Sequence, residues 1–434
     1  MAVESNYPRQ EASGTPRSNS QIFLYFGAIT FLYWMVVPHQ GFVDIPIAFV
    51  LKNRFHLDAN ATSWFRMGVA IPVFGGLFVG LVRDKWNPLG LRDRGYFQIF
   101  GLLTAGVFFA LIFTPDTYWS LFVGVFVAML VFRFVAAAYQ GLIALIGQED
   151  LMSGRLSTLW NFVSYIPVMI GFFVGAILND LPKAYIFTGA AIVMLLIAAF
   201  GLWRPASVFE GTYSRPMART AHLKEDLLRL LKHKAVYPAV LICFLWNFAP
   251  GAATPLQYYL TDKLHLSDAV FNYYYFFFTL GFLPTFALYG ALCKKVALNK
   301  LLIWGTVFAV PQMVPLLFIH STAAALTWAV PTGLMGGVAT AAYYDLAMRS
   351  CPPGLQGTLM LAVDGAFILS SRLGDILGSK IYTSSPQNGF LWSVIATTAV
   401  YAMILPIIFL VPRRLIATAD GEANPEYEAD AVPT

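Results

Sequence analysis

GLVRDKWNPLGLRDRG, residues 80–95, is the stretch from which the rest of the chain can be read. It gathers Arg83, Asp84, Lys85, Arg92, Asp93 and Arg94 between one apolar run that ends near residue 82 and another that begins near residue 96. Each run is long enough to cross roughly 30 Å of hydrocarbon as a helix. Lipid offers no hydrogen-bond partner to the backbone, so a spanning segment must satisfy its own N–H and C=O groups. The stretch is therefore a short charged loop joining two membrane helices on one side of a bilayer.

The whole chain agrees with this. Its 434 residues are 58% hydrophobic and 12% charged, with a mean hydropathy of +0.65, which excludes an ordinary soluble enzyme. The alternation expected of a membrane β-barrel is absent. The formal charge of +5 is spread over short loops and forms no patch for nucleic acid. Cys243 lies in an apolar run and Cys293 and Cys351 at loop edges, which is neither a disulfide framework nor a metal spacing. No cofactor and no metal are expected. No P-loop and no Gly-x-Ser-x-Gly elbow occurs, so neither ATP-driven transport nor hydrolysis is indicated. Residues 1–20 are polar, so the first span itself is expected to direct insertion.

Twelve apolar runs are read, near 21–50, 62–82, 96–114, 118–147, 156–178, 184–203, 236–260, 271–292, 300–319, 324–348, 358–382 and 389–411. The expected fold is an all-α integral membrane protein with twelve transmembrane helices in two six-helix bundles. The first bundle covers 21–203 and the second 236–411. Residues 1–20 are read as a disordered N-terminus. The 204–235 linker ends in an amphipathic piece, HLKEDLLRLLKHK (222–234), expected to lie on the membrane surface. The acidic segment within 412–434, with Asp420, Glu422, Glu426, Glu428 and Asp430, is read as a disordered tail. Twenty Lys and Arg fall on the side of the termini and six on the other, which places both termini in the cytoplasm. The expected location is the plasma (bacterial inner) membrane. Six runs, a basic loop and six runs again imply paired repeats. The counterpart of 80–95 is GALCKKVALNK (290–300), which keeps the glycine and the positive charges but has lost the acid.

At residues 80–95 the sequence resembles the major facilitator superfamily, whose cytoplasmic signature has a glycine, three residues, an aspartate, and then a glycine followed by basic residues. Gly80, Asp84, Gly90, Arg92 and Arg94 match it, with about three extra residues before the second glycine. QGFVDIPIAFVLKNRFHL (40–57), RDKWNPLGLRDRGYFQIFG (83–101), FLWNFAPGAATPLQYYLTDKLHLS (244–267) and CPPGLQGTL (351–359) together look like the folate-biopterin transporter branch. Gln140 and Gln356 stand where that branch usually carries acids. The resemblance implies a secondary active transporter working by rocker-switch alternating access, with Gly80, Asp84, Gly90, Arg92, Arg94 and Arg155 at the gate. Asp84 can cap a helix N-terminus and pair with arginines of the facing half.

Ionisable residues inside a membrane need a partner or a wet cavity. Arg133 and Arg372 lie near the middle of the fourth and eleventh spans and could clamp an anion by bidentate hydrogen bonds. The structural alternative is a pair of internal salt bridges, Arg133 with Asp44 and Arg372 with Asp375. A carboxylate in a low dielectric takes up a proton more readily, so Asp44 and Asp364, with His39, are the coupling candidates; a permanent ion pair or a core histidine is the plainer reading. Asp345 is placed at a gate bond or a site. Gln40, Tyr139, Gln140, Trp246, Asn247, Gln257, Tyr343 and Tyr344 fall in the spans expected to line the cavity, where aromatic faces and amides suit a flat ligand, though such residues also simply pack. The expected partners are a small organic anion (folate- or pterin-like), a coupling proton or sodium ion, and lipid; a monomer is expected. The competing reading is a non-transporting receptor or assembly factor on the same fold.

Overall fold

The computed structural model describes residues 18–37, 59–177, 182–209, 223–385 and 387–422, with a few positions between 43 and 57. His39, Gln40 and Asp44 lie outside the described residues, as do 1–17, 210–222 and 423–434. Among the described residues the chain is helical and contains no strand.

Among the described residues, seven helices are long and apolar enough to cross a membrane: Asp93–Phe113, Tyr118–Glu149, Ser153–Phe173, Lys183–Phe200, Ala269–Leu292, Leu298–Phe318 and Gly389–Ile408. The other expected spans depart from that pattern for physical reasons. Asn19–Val36, Thr322–Arg349 and Gln356–Ser384 are as long but less apolar. The last carries Asp364, Arg372 and Asp375. The second run is divided into Ala59–Val69, Ile71–Phe74 and Gly76–Lys85 around Pro72 and Gly75. The seventh is broken between Val236–Asn247 and Ala253–Tyr258 at Pro250 and Gly251, just before Ala253 at φ +41°. Proline removes a backbone donor and crowds the preceding turn; these two runs divide there, whereas Pro167, Pro284, Pro331 and Pro406 lie inside helices that continue past them.

Several helix pairs join residues before the linker to residues after it, two of them most extensively. Ser153–Ile177 packs along Asp268–Leu292, and Gly76–Lys85 along Gln356–Ser384. Glycine makes both approaches close. A Cβ at Gly80 would stand 2.6 Å from the Gly357 carbonyl oxygen, and one at Gly290 would stand 2.7 Å from Thr158 Cγ2. Helices that share lipid on their outer faces gain association through such contact rather than through a hydrophobic drive.

The loops rich in Lys and Arg meet at one end of the molecule, here called the basic end. Two expectations change there. The helix Leu223–Lys232 does not rest on lipid alone. Asp226 and Leu230 are buried, Lys85 Nζ lies 3.0 Å from Asp226 Oδ2, and Arg229 Nη2 donates to the Pro353 carbonyl at 3.3 Å. Its amphipathic face finds protein, while Leu228 and Leu231 stay exposed. Residues 413–422 are likewise not a loose tail. Leu415, Ile416, Ala419 and Asp420 are buried against the bundle.

Candidate functional site

Arg133 is the charged side chain at mid-length of the apolar helix Tyr118–Glu149 and has no exposed surface. Its Nη1 donates to Asp364 Oδ2 at 2.6 Å, so the pair bridges the two halves of the chain. Asp364 retains 15% exposure. Arg133 Nε and Nη2 are buried and have no hydrogen-bond partner among the described residues. A Cβ on Gly76 would lie 2.9 Å from Nη2, so the glycine leaves the guanidinium its room.

Beside this pair runs a wall of rings. Tyr33 lies 4.9 Å from both Phe132 and Tyr139, and Trp160 stacks on Tyr139 at 4.8 Å and faces Tyr344 at 5.6 Å. The Tyr139 hydroxyl is 2.6 Å from Thr30 Oγ1, and Gln140 is within hydrogen-bond reach of Tyr33. Tyr33, Tyr344, Arg133 and Asp364 thus share one neighbourhood. Sequence reasoning missed Tyr33, Trp160 and Thr30; nothing in an apolar run marks one aromatic above another.

The remaining candidates lie elsewhere. Trp246 Nε1 donates to Thr340 Oγ1 at 3.1 Å, its ring meets Tyr401 and Tyr343, and the Tyr343 hydroxyl meets Thr306 at 2.7 Å. These rings pack inside the second half. Asn247 Nδ2 donates to the Cys243 carbonyl of its own helix, and Gln257 is exposed. Asp375 accepts from the Thr254 N–H and hydroxyl, both at 2.9 Å, and so fixes the start of Ala253–Tyr258. Arg372 is half-buried. Arg133 pairs with Asp364, a partner that the salt-bridge alternative did not name.

At the basic end Asp84 crosses between the halves. Its carboxylate accepts from the N–H groups of Gly357 (3.2 Å) and Thr358 (2.8 Å) and from Thr358 Oγ1 (2.6 Å). These groups open Gln356–Ser384, whose first N–H groups have no partner within the helix. Arg83 holds the acid in place: Nη1 reaches Asp84 at 2.8 Å, while Nε and Nη2 grip Asp93 at 2.6 and 2.7 Å. The supporting arginine is thus the neighbour in sequence, not one from the facing half. Arg94 closes a different helix end, donating to Gly201 and Leu202 carbonyls within the first half. Arg92 gives its backbone N–H to Asn87 Oδ1, in a turn where Gly90 has φ +70°. Arg155 binds Asp420 at 2.6 Å. Gln148 adds a further crossing, donating to the Met348 and Cys351 carbonyls and accepting from Gln356.

Burial raises the Asp84 carboxyl above the ordinary carboxylate value, against the pull of Arg83 and Thr358. A group raised in the folded state contributes stability below its unfolded value, and this is lost as pH rises through the folded value. Melts of the wild type and of Asp84→Asn should therefore diverge in the wild type's favour as pH falls below neutrality. The opposite slope would mean that Arg83 and the helix N-terminus outweigh burial.

A buried ion pair between two helical halves, an aromatic wall beside it and a glycine-tight, acid-capped end define a helical membrane carrier. The chain belongs to the major facilitator superfamily, whose family model matches residues 47–379. The superfamily is one of non-enzymatic carriers. Among similar proteins, the folate-biopterin transporter of Synechocystis sp. is 23% identical over 420 residues, covering 90% of this chain and 83% of the relative. Folate transporter 2 of Plasmodium falciparum is 21% identical over 271 residues, covering 62% and 58%. The crystal structure of the human organic anion transporter MFSD10 (TETRAN) aligns with a TM-score of 0.64 at 13% identity, over 92% of this chain and all of that one. The similarity to transporters is thus of the folate-biopterin kind.

Proposed function

We propose that the protein is a secondary active transporter that carries a small organic anion, folate- or pterin-like, together with a proton. The observation that carries this reading is Arg133, fully buried, held by one carboxylate of the opposite half and with two further N–H groups unpartnered among the described residues. A guanidinium in a protein stays charged, so it needs an anion at all times. Without substrate that anion is Asp364. A proton taken up by Asp364 releases the guanidinium, which then binds the substrate carboxylate. Proton and anion cross together, and their release restores the pair. The wall of Tyr33, Tyr139, Trp160 and Tyr344 suits a flat ring system. The names of the relatives support folates or pterins as the first compounds to try.

The rest of the reading follows the sequence. Two six-helix bundles of twelve spans rock about this pair, the basic end faces the cytoplasm of a plasma (bacterial inner) membrane by its excess of Lys and Arg, and the monomer is the working unit. The test is a thermal-shift screen of organic anions, pterins and uncharged solutes on the wild type and on Arg133→Ala. A ligand at 100 times its Kd adds about 2.7 kcal/mol. Carboxylates should stabilise the wild type and not the variant. Equal shifts from neutral ligands would sink the anion reading, and no shift from any compound would favour a non-transporting protein.

A further inference from the structure

The basic end has an asymmetry that the structure resolves. In the first half Asp84 stands four residues after Gly80 and caps the start of Gln356–Ser384. In the repeat, the residue four after Gly290 is Lys294, which cannot accept a hydrogen bond. The start of Ser153–Ile177 is nevertheless capped. Asp420 Oδ1 accepts from the Gly154 N–H at 2.9 Å, and Oδ2 accepts from Arg155 Nε at 2.6 Å. The Asp420 N–H donates to the Cys293 carbonyl at 2.8 Å, so this carboxylate stands on the residue beside Lys294. Its side chain has no exposed surface.

The segment that brings it there is fastened along its length. Thr418 accepts from the Leu298 N–H at 3.4 Å, and Arg349 Nη1 donates to the Leu415 and Thr418 carbonyls at 3.3 and 3.1 Å. Arg349 in turn binds Asp345 at 2.8 Å and Ser153 Oγ at 3.1 Å, and Asp345 accepts from the Tyr289 hydroxyl at 2.7 Å. The segment therefore grips Gly154 and Arg155 of the first half while resting on Cys293, Leu298 and Arg349 of the second. The halves cannot part at this point without breaking those bonds.

We infer that Asp420 replaces the acid missing from the loop 290–300, so that the C-terminal segment 413–422 forms the second latch of the gate. The inference rests on the alternating-access reading, and its test separates the two. The three cysteines are all buried, and two of them, Cys351 and Cys243, serve as probes. Cys351 lies in the closed junction, its carbonyl bound by Gln148 of the opposite half. Burial and Asp84 raise its thiol well above the ordinary value, so it reacts slowly while the end is closed. Cys243 sits within Val236–Asn247 and reports unfolding.

Alkylation of the full-length protein by a membrane-permeant maleimide is followed at both thiols. Asp420→Ala should speed reaction at Cys351 about tenfold, the scale of a lost helix cap, with Cys243 still protected. Gly80→Leu, which wedges the Gly357 and Thr358 backbone apart from the first half without removing a charge beside Cys351, supplies the benchmark. If Asp420→Ala exposes Cys243 as well, Gly154→Ala decides. A Cβ there would meet Asp345 Oδ2 at 3.0 Å, Cys293 Cβ at 3.1 Å and Asp420 Cβ at 3.3 Å, crowding the segment and its footing without removing a charge; the same acceleration is expected. Wild-type rates at Cys351 in the folded variants, with Gly80→Leu accelerated, would overturn the latch and leave the gate reading intact. Wild-type rates in Gly80→Leu too would overturn both.

Discussion

Asp364→Ala should cost the protein more stability than Arg133→Ala, although the two residues form one pair. Removing the carboxylate strands a guanidinium with no exposed surface that cannot shed its proton. Breaking a buried pair in this way costs about 3–5 kcal/mol. Removing the arginine leaves an aspartate with 15% exposure, which can take up a proton and so escape an unpaired charge. The second part of the expectation is chemical. An added small carboxylate such as acetate should restore part of the melting temperature of Asp364→Ala, because it can replace the lost counter-charge, and should do nothing for Arg133→Ala. Calorimetric melts with and without acetate, set against chloride at equal ionic strength, test both parts. The reverse order of stability would reveal a second counter-charge at Arg133 and would remove the reason for its release by a proton on Asp364.

Gly80→Leu is expected to be the most disruptive single change at the basic end. The built Cβ already lies 2.6 Å from the Gly357 carbonyl oxygen and from Thr358 Cα, and both are backbone atoms that cannot swing aside. Overpacking of this kind costs about 1–3 kcal/mol, and here that cost falls on the closed arrangement. The helices Gly76–Lys85 and Gln356–Ser384 should separate, Asp84 should lose its hold on Gly357 and Thr358, and Cys351 should become reactive. Gly106→Leu is the control, since a Cβ there meets nothing within 4 Å. Equal Cys351 reactivity in the two variants would show that this glycine contact does not set the closure.

The outline of both places was legible in the sequence. A glycine, an aspartate four residues on and a tight basic turn are local, and Asp84 does cap a helix of the other half as its chemistry allows. Arg133 was conspicuous because a charge in an apolar run is costly. Its partner was not legible. Asp364 lies 231 residues away, and only the packing of Tyr118–Glu149 against Gln356–Ser384 brings the two together. Asp420 was hidden for a different reason. In composition it belongs to an acidic, proline-containing end, and one buried carboxylate within such a stretch leaves no periodic trace. Trp246 and Tyr343 illustrate the converse, since rings in a cavity-lining span can equally face the interior of their own bundle, as these do.

The short helix Leu223–Lys232 touches Lys85 on one side of the divide and the Pro353 carbonyl on the other. This part of the covalent connection between the halves is therefore seated on both of them rather than slack, and under the proposed alternating access its docking energy would enter the cycle each time the end opens. Evolution should treat its faces unequally. Asp226 and Leu230 face inward and should resist change, whereas Leu228 and Leu231 face outward and should drift. A stretch that composition would class as a spacer would then carry a one-sided record of selection.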